Sequence, residues 1–419
     1  ESRGLGDVYK RQKEKEEGKM AKKRVNKKSR AYRRRRRRRI IFGLELLVLL
    51  LVGCGLFAYA YINSKMNKMQ SDELDFSNVG INPEVLQGEK EDEENGAKGT
   101  QLIALVGMDS RDNSLEAGNN SDTMIIACID HDNKCIRLVS LYRDTWLNVF
   151  KKDENGEYLN RYTKCNAAYA VGGAEQMLTM MNKNLDLNIT SYAAVNFKAL
   201  SEAIDLLGGL DIDLTREELI HLNNYNKETS KVAGVDYEEV DVPDKSELDG
   251  AQKMTFHLNG TQSVSYARIR YTAGNDFRRA ARQRLVIGKI MEKAKSADLS
   301  TLNDIMDAVF PMVKTSLKKQ EIINLGMNLL SYDMGEQTGF PFDHLEGENV
   351  KNAMDGNDCV LAVTLETNVV KLHNFLFPQD TTYIPSAEVK EYSDYIINQS
   401  GYGVESIPSH SETGEIPQG

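Results

Sequence analysis

Histidine is scarce in this sequence, and the motifs that most often carry enzyme chemistry are missing. The six histidines are scattered and do not have the spacing of metal ligands. There is no Walker phosphate-binding loop, no G-x-G-x-x-G after a strand, no G-x-S-x-G and no H-E-x-x-H. These absences argue against a nucleotide-binding fold, a serine hydrolase and a zinc peptidase. They leave acidic side chains and arginine as the groups available for chemistry.

Cysteine is also rare, with five in 419 residues. Cys54 lies in an apolar segment, and Cys165 and Cys359 have no obvious partner. Cys128 and Cys135 flank a predicted turn. A disulfide across that turn is one interpretation, but two small buried side chains is the interpretation that we favour.

Charge is distributed very unevenly along the chain. The formal net charge is −9, yet residues 1–39 contain 19 Lys and Arg against 5 Asp and Glu, so the remainder is strongly acidic. A basic segment of this kind is typical of proteins that bind nucleic acid or a membrane surface. The next segment decides between these two alternatives.

Residues 40–62 form an apolar run of 23 residues in which Glu45 is the only charge. At about 1.5 Å per residue, a helix of this length crosses a hydrocarbon core of about 30 Å. Because seven arginines precede the run, the positive-inside rule predicts a single-pass protein of the cell membrane with a cytoplasmic N-terminus and an extracellular remainder. Topology explains the arginines, so we do not expect nucleic-acid binding. A cleaved signal peptide is the alternative, since residues 58–60 resemble a cleavage site, but the apolar run is longer than such peptides usually have.

Composition divides the chain into five parts. Residues before Met20 contribute nothing interpretable, and we expect the natural protein to begin at Met20. The predicted parts are a basic cytoplasmic N-terminus (1–39), a transmembrane helix (40–62), an acidic linker (63–98), one folded domain (99–385) and a polar flexible tail (386–419).

The folded domain alternates predicted strands and helices, which indicates an α/β fold with helices flanking a sheet. The methionines at 177, 180 and 181 are expected in the core. Residues 216–256 are polar and acidic, and they predict an insertion or long loop, with helices dominating from 260 to about 330. The predicted strands before this region are 101–109, 122–130, 135–144, 189–196 and 210–214, and the predicted helices are 166–185 and 197–209.

Two aspartates lie at strand ends. Asp109 follows the first strand and Asp122 opens the second, so both carboxylates lie near one sheet edge if the strands are neighbours. Paired carboxylates without a paired base are one way in which proteins hold Mg²⁺, together with waters and substrate phosphates. The alternative is that each aspartate caps a turn.

The segment 268–284 contains six arginines and no lysine. Arg268 and Arg270 are two apart and share a face if extended. Asp276 is placed to cap the following helix, on which Arg279, Arg282 and Gln283 fall at i, i+3 and i+4.

Cations in the first turns of a helix oppose the helix dipole, and a bound anion would remove that conflict. The preference for arginine over lysine favours bidentate contacts with phosphate. A solvated charged face is the alternative. Arg143, just past the third strand and beside Asp144, is either a further anion contact or part of a surface ion pair.

Five sequence stretches in this order resemble the signatures of the LytR–CpsA–Psr family. They are VGMDSR, SDTM, SLYRDT, VNF with LLGGLDID, and LNGTQSVSYARIRYTAGNDFRRAARQR. The resemblance covers Leu102 to Glu292, with weaker similarity to about Pro378. It implies an α/β sandwich domain with a mixed central sheet and a hydrophobic tunnel for a polyprenyl chain.

The resemblance also implies an activity, that of an extracellular phosphotransferase of mainly Gram-positive bacteria. Such an enzyme moves an anionic glycopolymer, teichoic acid or capsular polysaccharide, from a polyprenyl pyrophosphate carrier to a sugar hydroxyl of peptidoglycan. Two alternatives use the same residues. One is a Mg²⁺-dependent lipid pyrophosphatase with water as acceptor, and the other is a non-catalytic membrane protein that binds wall precursors or regulates.

Transferred to matching positions, the family pattern implies that Asp109 and Asp122 bind Mg²⁺, with Mn²⁺ as an alternative ion, and that either takes the proton of the acceptor hydroxyl. It implies catalytic roles for the two aspartates, Arg143 and Arg279. The implied pyrophosphate contacts are Arg143, Arg268, Arg270, Arg279, Arg282 and Gln283.

Two positions depart from the family pattern. Asn120 stands where the family usually has an arginine, so one phosphate contact is either missing or supplied by Arg111 or Arg278. Tyr142 replaces a proline, which changes backbone stiffness more than chemistry.

Overall fold

The computed structural model describes residues 7–23, 60–74, 76–87, 99–108, 115–116, 118, 120–270, 275–328, 331–380 and 382–407. The chain divides into two compact units, Glu1–Ser64 and Lys65–Gly419. In the first unit, residues 7–23 form a helix. The predicted transmembrane helix lies outside the described residues except at its last three positions. Within the described ranges, no helix is both long and apolar enough to cross a membrane.

The elements from residue 60 onward are numbered in chain order. The strands are β1 (Gln70–Ser71), β2 (Thr100–Met108), β3 (Ser121–Asp130), β4 (Cys135–Leu141), β5 (Trp146–Asn148), β6 (Lys151–Lys152), β7 (Tyr158–Leu159), β8 (Tyr162–Lys164), β9 (Tyr192–Asn196), β10 (Leu210–Leu214), β11 (Met254–Leu258), β12 (Val313–Thr315), β13 (Asp333–Phe340), β14 (His344–Leu345) and β15 (Leu361–Ala362). The helices are α1 (60–66), α2 (83–87), α3 (Ala167–Leu185), α4 (Phe197–Leu206), α5 (Arg216–Ala233), α6 (Gly260–Arg268), α7 (Asn275–Ser296), α8 (Leu299–Val309), α9 (Lys319–Asn328), α10 (Glu348–Ala353), α11 (Leu365–Leu376) and α12 (Ala387–Ser400).

A mixed sheet in the order β1-β12-β9-β2-β3-β4-β13 forms the centre of the second unit. Strands β2, β3 and β4 are antiparallel neighbours, while β9 runs parallel to β2 and β13 runs parallel to β4. The middle of each central strand is a continuous apolar run, as expected when both faces of the sheet are covered. The predicted α/β fold with a mixed central sheet is therefore confirmed, and so is the hairpin of β3 and β4.

Alternate residues of β3 contribute to two different layers. Met124 and Ile126 belong to the larger core, which also takes side chains from α3, α11 and α12. Ile125 and Ala127 form a smaller cluster, against which Ile287 of α7 packs. This alternation is the period of two that a strand imposes, and it produces a sandwich of helices on both faces.

The predicted burial of three methionines is confirmed, since Met177, Met180 and Met181 of α3 are fully buried in the larger core. The predicted burial of two cysteines is confirmed for Cys128 only, because Cys135 is half-buried. Both are free thiols.

The prediction of an insertion or long loop at 216–256 is wrong for residues 216–233 and 254–256, while residues 234–253 contain no helix or strand. Helix α5 begins after Thr215, whose hydroxyl accepts from the Glu218 N–H while the Glu218 carboxylate accepts from the Thr215 N–H. Leu219 and Leu222 are fully buried three residues apart, so one face of this largely polar helix belongs to the core. Strand β11 then pairs with β10 over its whole length.

The prediction of an unfolded linker and a flexible tail is also wrong in part. Strand β1 extends the central sheet, and Asn82 is fully buried. Helix α12 buries Val389, Tyr392 and Ile396 in the larger core. The folded domain therefore extends beyond 99–385 on both sides, although residues 88–98 and 408–419 lie outside the described part of the chain.

Candidate functional site

A cavity of about 610 Å³ lies between the central sheet and helices α4 to α7. This volume is within the range of roughly 300–1,000 Å³ that is usual for small-molecule sites. The walls are mostly apolar, and a set of charged or polar side chains joins them. The apolar wall includes Leu105, Val106, Ile125, Ala193, Val195, Leu200, Val264, Val286 and Ile287, and the polar set includes Asp122, Arg143, Arg268, Arg270, Arg279 and Gln283.

Asp122 and Arg143 form the first contact of the polar set. Asp122 is the second residue of β3, and Arg143 follows β4, so the hairpin brings them together. Arg143 Nη1 donates to Asp122 Oδ1 at 2.6 Å. Burial lowers the pKa of the Arg143 guanidinium, but the carboxylates of Asp122, Asp276 and Asp144 outweigh burial and raise it above its usual value. Arg143 is therefore a permanent cation in the wall of the cavity.

Asp276, in the first turn of α7, is the centre of the arginine cluster. Its carboxylate lies 2.9 Å from Arg270 Nε, 3.3 Å from Arg279 Nη1 and 3.6 Å from Arg143 Nε. This role of Asp276 differs from the helix cap that its position in the sequence predicts. The available signal was its i, i+3 spacing to Arg279 on the same helix face.

Arg279 is buried, and its hydrogen-bond donors are only partly paired. One of its Nη atoms donates to the backbone oxygen of Asp122 at 3.3 Å, while its Nε has no hydrogen-bond partner in the described part of the chain. Burial lowers the pKa of Arg279. The like charge of Arg143 adds to this decrease, and the carboxylate of Asp276 opposes it. A buried donor without a partner is costly, so this guanidinium is suited to receive an anion.

Arg268 lines the cavity in a different environment. Its guanidinium lies 4.7 Å from the ring centre of Phe197 and donates to Thr229 Oγ1 at 2.9 Å and Glu228 Oε2 at 3.1 Å. Arg268 therefore faces the cavity with a carboxylate partner already in place. An incoming phosphate would have to share it with Glu228.

Arg282 does not line the cavity, so the structure does not bring it together with the other predicted pyrophosphate contacts. Its side chain is fully buried, with Nε and Nη2 donating to Glu218 Oε1 at 3.2 and 3.0 Å and Nη1 donating to the Ile269 carbonyl at 3.0 Å. The helical spacing was read correctly, but a carboxylate from α5 turns this arginine inward. Because α5 was predicted as a loop, its partner could not be anticipated.

The remaining sequence candidates have mixed outcomes. Gln283 lies one turn after Arg279 and lines the cavity as expected. Asp109 and Arg111 lie outside the described residues. Asn120 and Arg278 are exposed, and neither lines the cavity.

Tyr142, which stands where the family pattern has proline, packs behind the arginine cluster. Its ring contacts Phe277 of α7 edge-on, with 4.6 Å between ring centres. Its N–H donates to the Phe340 carbonyl at 3.0 Å, a bond that proline has no proton to make. Tyr142 thus joins β13 to the first turn of α7, which carries Asp276.

Of the two aspartates predicted to bind a metal ion, Asp109 lies outside the described residues and Asp122 lies within them. No group of three or more His, Cys, Asp or Glu side chains is arranged around a possible metal position in the described ranges. Mg²⁺ in phosphate-handling sites is usually bound by one or two carboxylates, with waters and substrate phosphates completing its shell. Asp122 is one such carboxylate, and Arg143 already donates to one of its two oxygens.

The fold and the cavity define a protein suited to a ligand with an apolar chain and an anionic head. The sequence model of the LytR_cpsA_psr family matches residues 57–371. The chain belongs to the LytR–CpsA–Psr family, as the resemblance implied.

Two relatives and one solved structure are similar to this chain. It is 28% identical over 321 residues to the polyisoprenyl-teichoic acid–peptidoglycan teichoic acid transferase TagU of Enterococcus faecalis, covering 74% of this chain and 91% of that protein. It is 25% identical over 272 residues to the biofilm regulatory protein A of Streptococcus mutans, covering 64% of this chain and 60% of that protein. A crystal structure from Streptococcus agalactiae has the same fold, with a TM-score of 0.53 at 21% identity, covering 72% of this chain and 95% of that one.

Proposed function

We propose that this protein transfers an anionic glycopolymer from a polyprenyl pyrophosphate carrier to a sugar hydroxyl of peptidoglycan. The observation that carries the proposal is the cluster of Arg143, Arg270 and Arg279 at an otherwise apolar cavity. Relatives named as teichoic acid transferases support a transferase, and they favour teichoic acid over capsule as the polymer.

The two parts of the cavity fit the two parts of such a donor. The apolar wall takes part of the polyprenyl chain, since each Å² of apolar surface removed from water contributes about 25 cal/mol. The guanidinium groups take the pyrophosphate, because their planar forks match phosphate oxygens. Burial of Arg279 strengthens that contact, since solvent screening is weaker inside the cavity.

In the proposed reaction, a muramic acid hydroxyl attacks the phosphorus on the sugar side of the pyrophosphate, and polyprenyl phosphate leaves. Arg143, Arg270 and Arg279 stabilise the charge that develops on the phosphate oxygens, and Asp276 holds them in position. Asp109 or Asp122 accepts the hydroxyl proton. Both aspartates would hold Mg²⁺, or Mn²⁺ in its place, and this ion neutralises charge on the pyrophosphate when bound.

The proposed location follows from the sequence rather than from the described structure. Residues 40–62 would anchor the protein in the cell membrane, with residues 1–39 in the cytoplasm and the folded domain outside. This topology gives the domain access to lipid-linked glycopolymer and to peptidoglycan.

The test combines the full-length protein with Mg²⁺, a synthetic polyprenyl-pyrophosphoryl oligosaccharide and a peptidoglycan oligomer, and it follows the products by mass spectrometry. We expect a phosphodiester-linked glycan on peptidoglycan, which Arg279→Ala abolishes because the buried anion contact is lost. Arg278→Ala is the matched control, since that neighbour is exposed and does not line the cavity, and it should transfer normally. Normal turnover by Arg279→Ala would contradict the role of Arg279.

Two other results would replace the proposal. Release of free phosphorylated glycan without transfer, with several acceptors, would indicate a lipid pyrophosphatase. Lipid binding without any turnover would indicate a binding or regulatory protein, an alternative favoured by the name of the Streptococcus mutans relative. In that case, removal of residues 20–39 should affect function as much as Arg279→Ala does.

A further inference from the structure

A pair of stacked tyrosines lies on the surface of the second unit where α12 covers the β5–β8 ribbon. The rings of Tyr162 and Tyr395 are 3.9 Å apart between centres and within 14° of parallel. Tyr395 is the outer ring, with 48% of its surface exposed. Burial raises the pKa of the Tyr162 hydroxyl, as expected for the inner ring. The outer ring thus presents a flat aromatic surface to solvent.

The aromatic pair is held in a fixed position by its two elements. Trp146 lies opposite Lys164, and Asn148 lies opposite Tyr162, in the register of β5 and β8. Trp146 Nε1 donates to Gln399 Oε1 at 3.2 Å, and Gln399 lies one helical turn after Tyr395. Two contacts one turn apart therefore fix α12 on the ribbon, so that Tyr395 loses little conformational freedom when a ligand binds.

The same ribbon leads to the arginine cluster. Tyr162 and Lys164 are two apart on β8 and share a face, separated by about 7 Å along the strand. Lys164 Nζ lies 3.5 Å from Asp144 Oδ1, and Asp144 Oδ2 lies 3.7 Å from Arg143 Nε. A chain of contacts thus connects the outer tyrosine to a residue of the cavity.

Resting on the proposed function, we propose that Tyr395, backed by Tyr162, is a binding site for a sugar ring of the peptidoglycan acceptor. One face of a pyranose ring presents mainly C–H bonds, which pack against the electron-rich face of an aromatic ring. Lys164 and Gln399 lie beside the platform and offer polar contacts to sugar substituents. Tyr395 lies on α12, beyond residue 371 where the family match ends, while Tyr162 lies within the matched range.

The charged side chains near Tyr395 favour the acceptor over the donor as the ligand of this site. Glu391 and Asp394 are exposed on α12, on either side of the buried Tyr392 and Ser393. Glu391 is near enough to Tyr162 to add to the rise in its pKa. A polyanionic glycopolymer is repelled by such carboxylates, whereas the uncharged sugar backbone of peptidoglycan is not. The donor glycopolymer is therefore the poorer fit.

The test measures binding of a peptidoglycan tetrasaccharide to the full-length protein in detergent, without lipid donor, by isothermal titration calorimetry. Tyr395→Ala should weaken binding about tenfold, because the aromatic face and its buried area are lost together. Tyr395→Phe keeps the ring and should bind like the wild type. Tyr237→Ala removes an exposed tyrosine elsewhere in the same unit and is the matched control.

Kinetics and a second variant complete the test. In the transfer assay, Tyr395→Ala should raise KM for the acceptor about tenfold while KM for the lipid donor stays unchanged, because neither Tyr395 nor Tyr162 lines the cavity. If Tyr395→Ala also loses donor binding, its fold has been damaged, and Tyr395→Leu, which keeps bulk against Tyr162 without an aromatic face, decides instead.

The outcomes separate this site from the proposed function. Tetrasaccharide binding that depends on Tyr395 in a protein without transfer activity would support the platform and reject the transferase. Transfer with unchanged acceptor KM and binding in both the Ala and Leu variants would reject the platform and keep the transferase. A loss of affinity for the anionic glycopolymer alone would also overturn the acceptor assignment.

Discussion

Asp276 shows how one carboxylate organises several cations that would otherwise repel one another. Three guanidinium groups lie within 3.6 Å of its oxygens. Its position in the first turn of α7 also suits the helix dipole, which favours an acid there. Asp276 therefore neutralises part of the positive charge at the arginine-rich start of α7. The remaining positive charge is available to an anion.

Asp276→Asn tests this role. We expect kcat for glycan transfer to fall by roughly tenfold to a hundredfold, because the three arginines lose their common partner and no longer hold the phosphate in a reactive position. Steady-state kinetics of the purified variant measures the change. Asp304→Asn, at an exposed position on α8, is the control and should be neutral. An unchanged kcat for Asp276→Asn would show that the cluster is held by other contacts.

Sequence spacing placed most, but not all, of the individual side chains at the cavity. Arg270, Arg279 and Gln283 lie there as the turn and helix periods indicated. Arg282 does not, because whether a helical arginine faces a cavity or a neighbouring helix depends on which counter-charge is nearest. That counter-charge is Glu218, 64 residues earlier, and local spacing contains no information about it.

At the level of elements, α5 supports the arginine segment at both ends. Near its N-terminus, Glu218 binds the buried Arg282, which in turn donates to the carbonyl of Ile269. Near its C-terminus, Glu228 and Thr229 bind Arg268. Arg268 and Arg270 flank Ile269, so α5 determines where both of these arginines are directed.

Arg282→Met tests the support from α5. Removing one partner of a buried ion pair typically costs about 3–5 kcal/mol in the free energy of unfolding, because the remaining charge is buried without compensation. Urea denaturation of the variant should show a loss of this size. The double variant Glu218→Met, Arg282→Met should lose clearly less, since both charges are gone. Equal losses in the two proteins would mean that packing, and not charge, accounts for the effect.

The polar composition of α5 explains why the element was missed. The residues that identify the helix are the capping pair Thr215 and Glu218 and the buried pair Leu219 and Leu222. Only these few positions carry the helical signal, while the exposed face carries polar and charged residues of both signs. By contrast, β2, β3 and β4 are buried on both faces, and their continuous apolar runs made them predictable.

For the whole molecule, the buried side chain of Asp186 connects parts of the chain that the sequence analysis treated as separate. Its carboxylate accepts from Asn82 at 2.5 Å, from the Tyr383 hydroxyl at 2.6 Å, and from the N–H and hydroxyl of Ser386 at 2.8 and 2.7 Å. Ser386 also caps α12. Such a contact joins residues about 300 positions apart, which composition cannot reveal, and so linker and tail were both predicted to be unfolded.

His373 makes the stability of this region dependent on pH. It is buried beside the same network, stacks on Tyr383 at 3.5 Å and contacts the Leu185 carbonyl through Nε2. Burial lowers its pKa below the ordinary value of 6.5, although the Leu185 carbonyl and the charges of Asp186 and Asp380 oppose this. The folded protein therefore disfavours the protonated ring, and stability present above pH 6.5 is lost as pH falls toward the lowered pKa.

His373→Gln removes this titration while keeping an amide donor for the Leu185 carbonyl. We expect the wild-type Tm to fall more steeply than that of the variant between pH 7 and pH 5, as followed by circular dichroism. His344, whose pKa is also lowered by burial, is present in both proteins and cancels in the comparison. Parallel pH profiles would show that His373 does not titrate in this range.

The cavity beneath α4 to α7 has a consequence for temperature. With a volume of about 610 Å³, the cavity is large enough to hold many water molecules when no ligand occupies it. A polyprenyl chain that displaces them buries apolar surface on both sides, which gives binding a negative heat-capacity change. Because apolar association weakens on cooling, the apolar contribution to binding of such a chain should decrease at low temperature. The charge contacts with the head group should persist. In a cell growing at low temperature, binding of the lipid chain would then become limiting before recognition of the phosphates does.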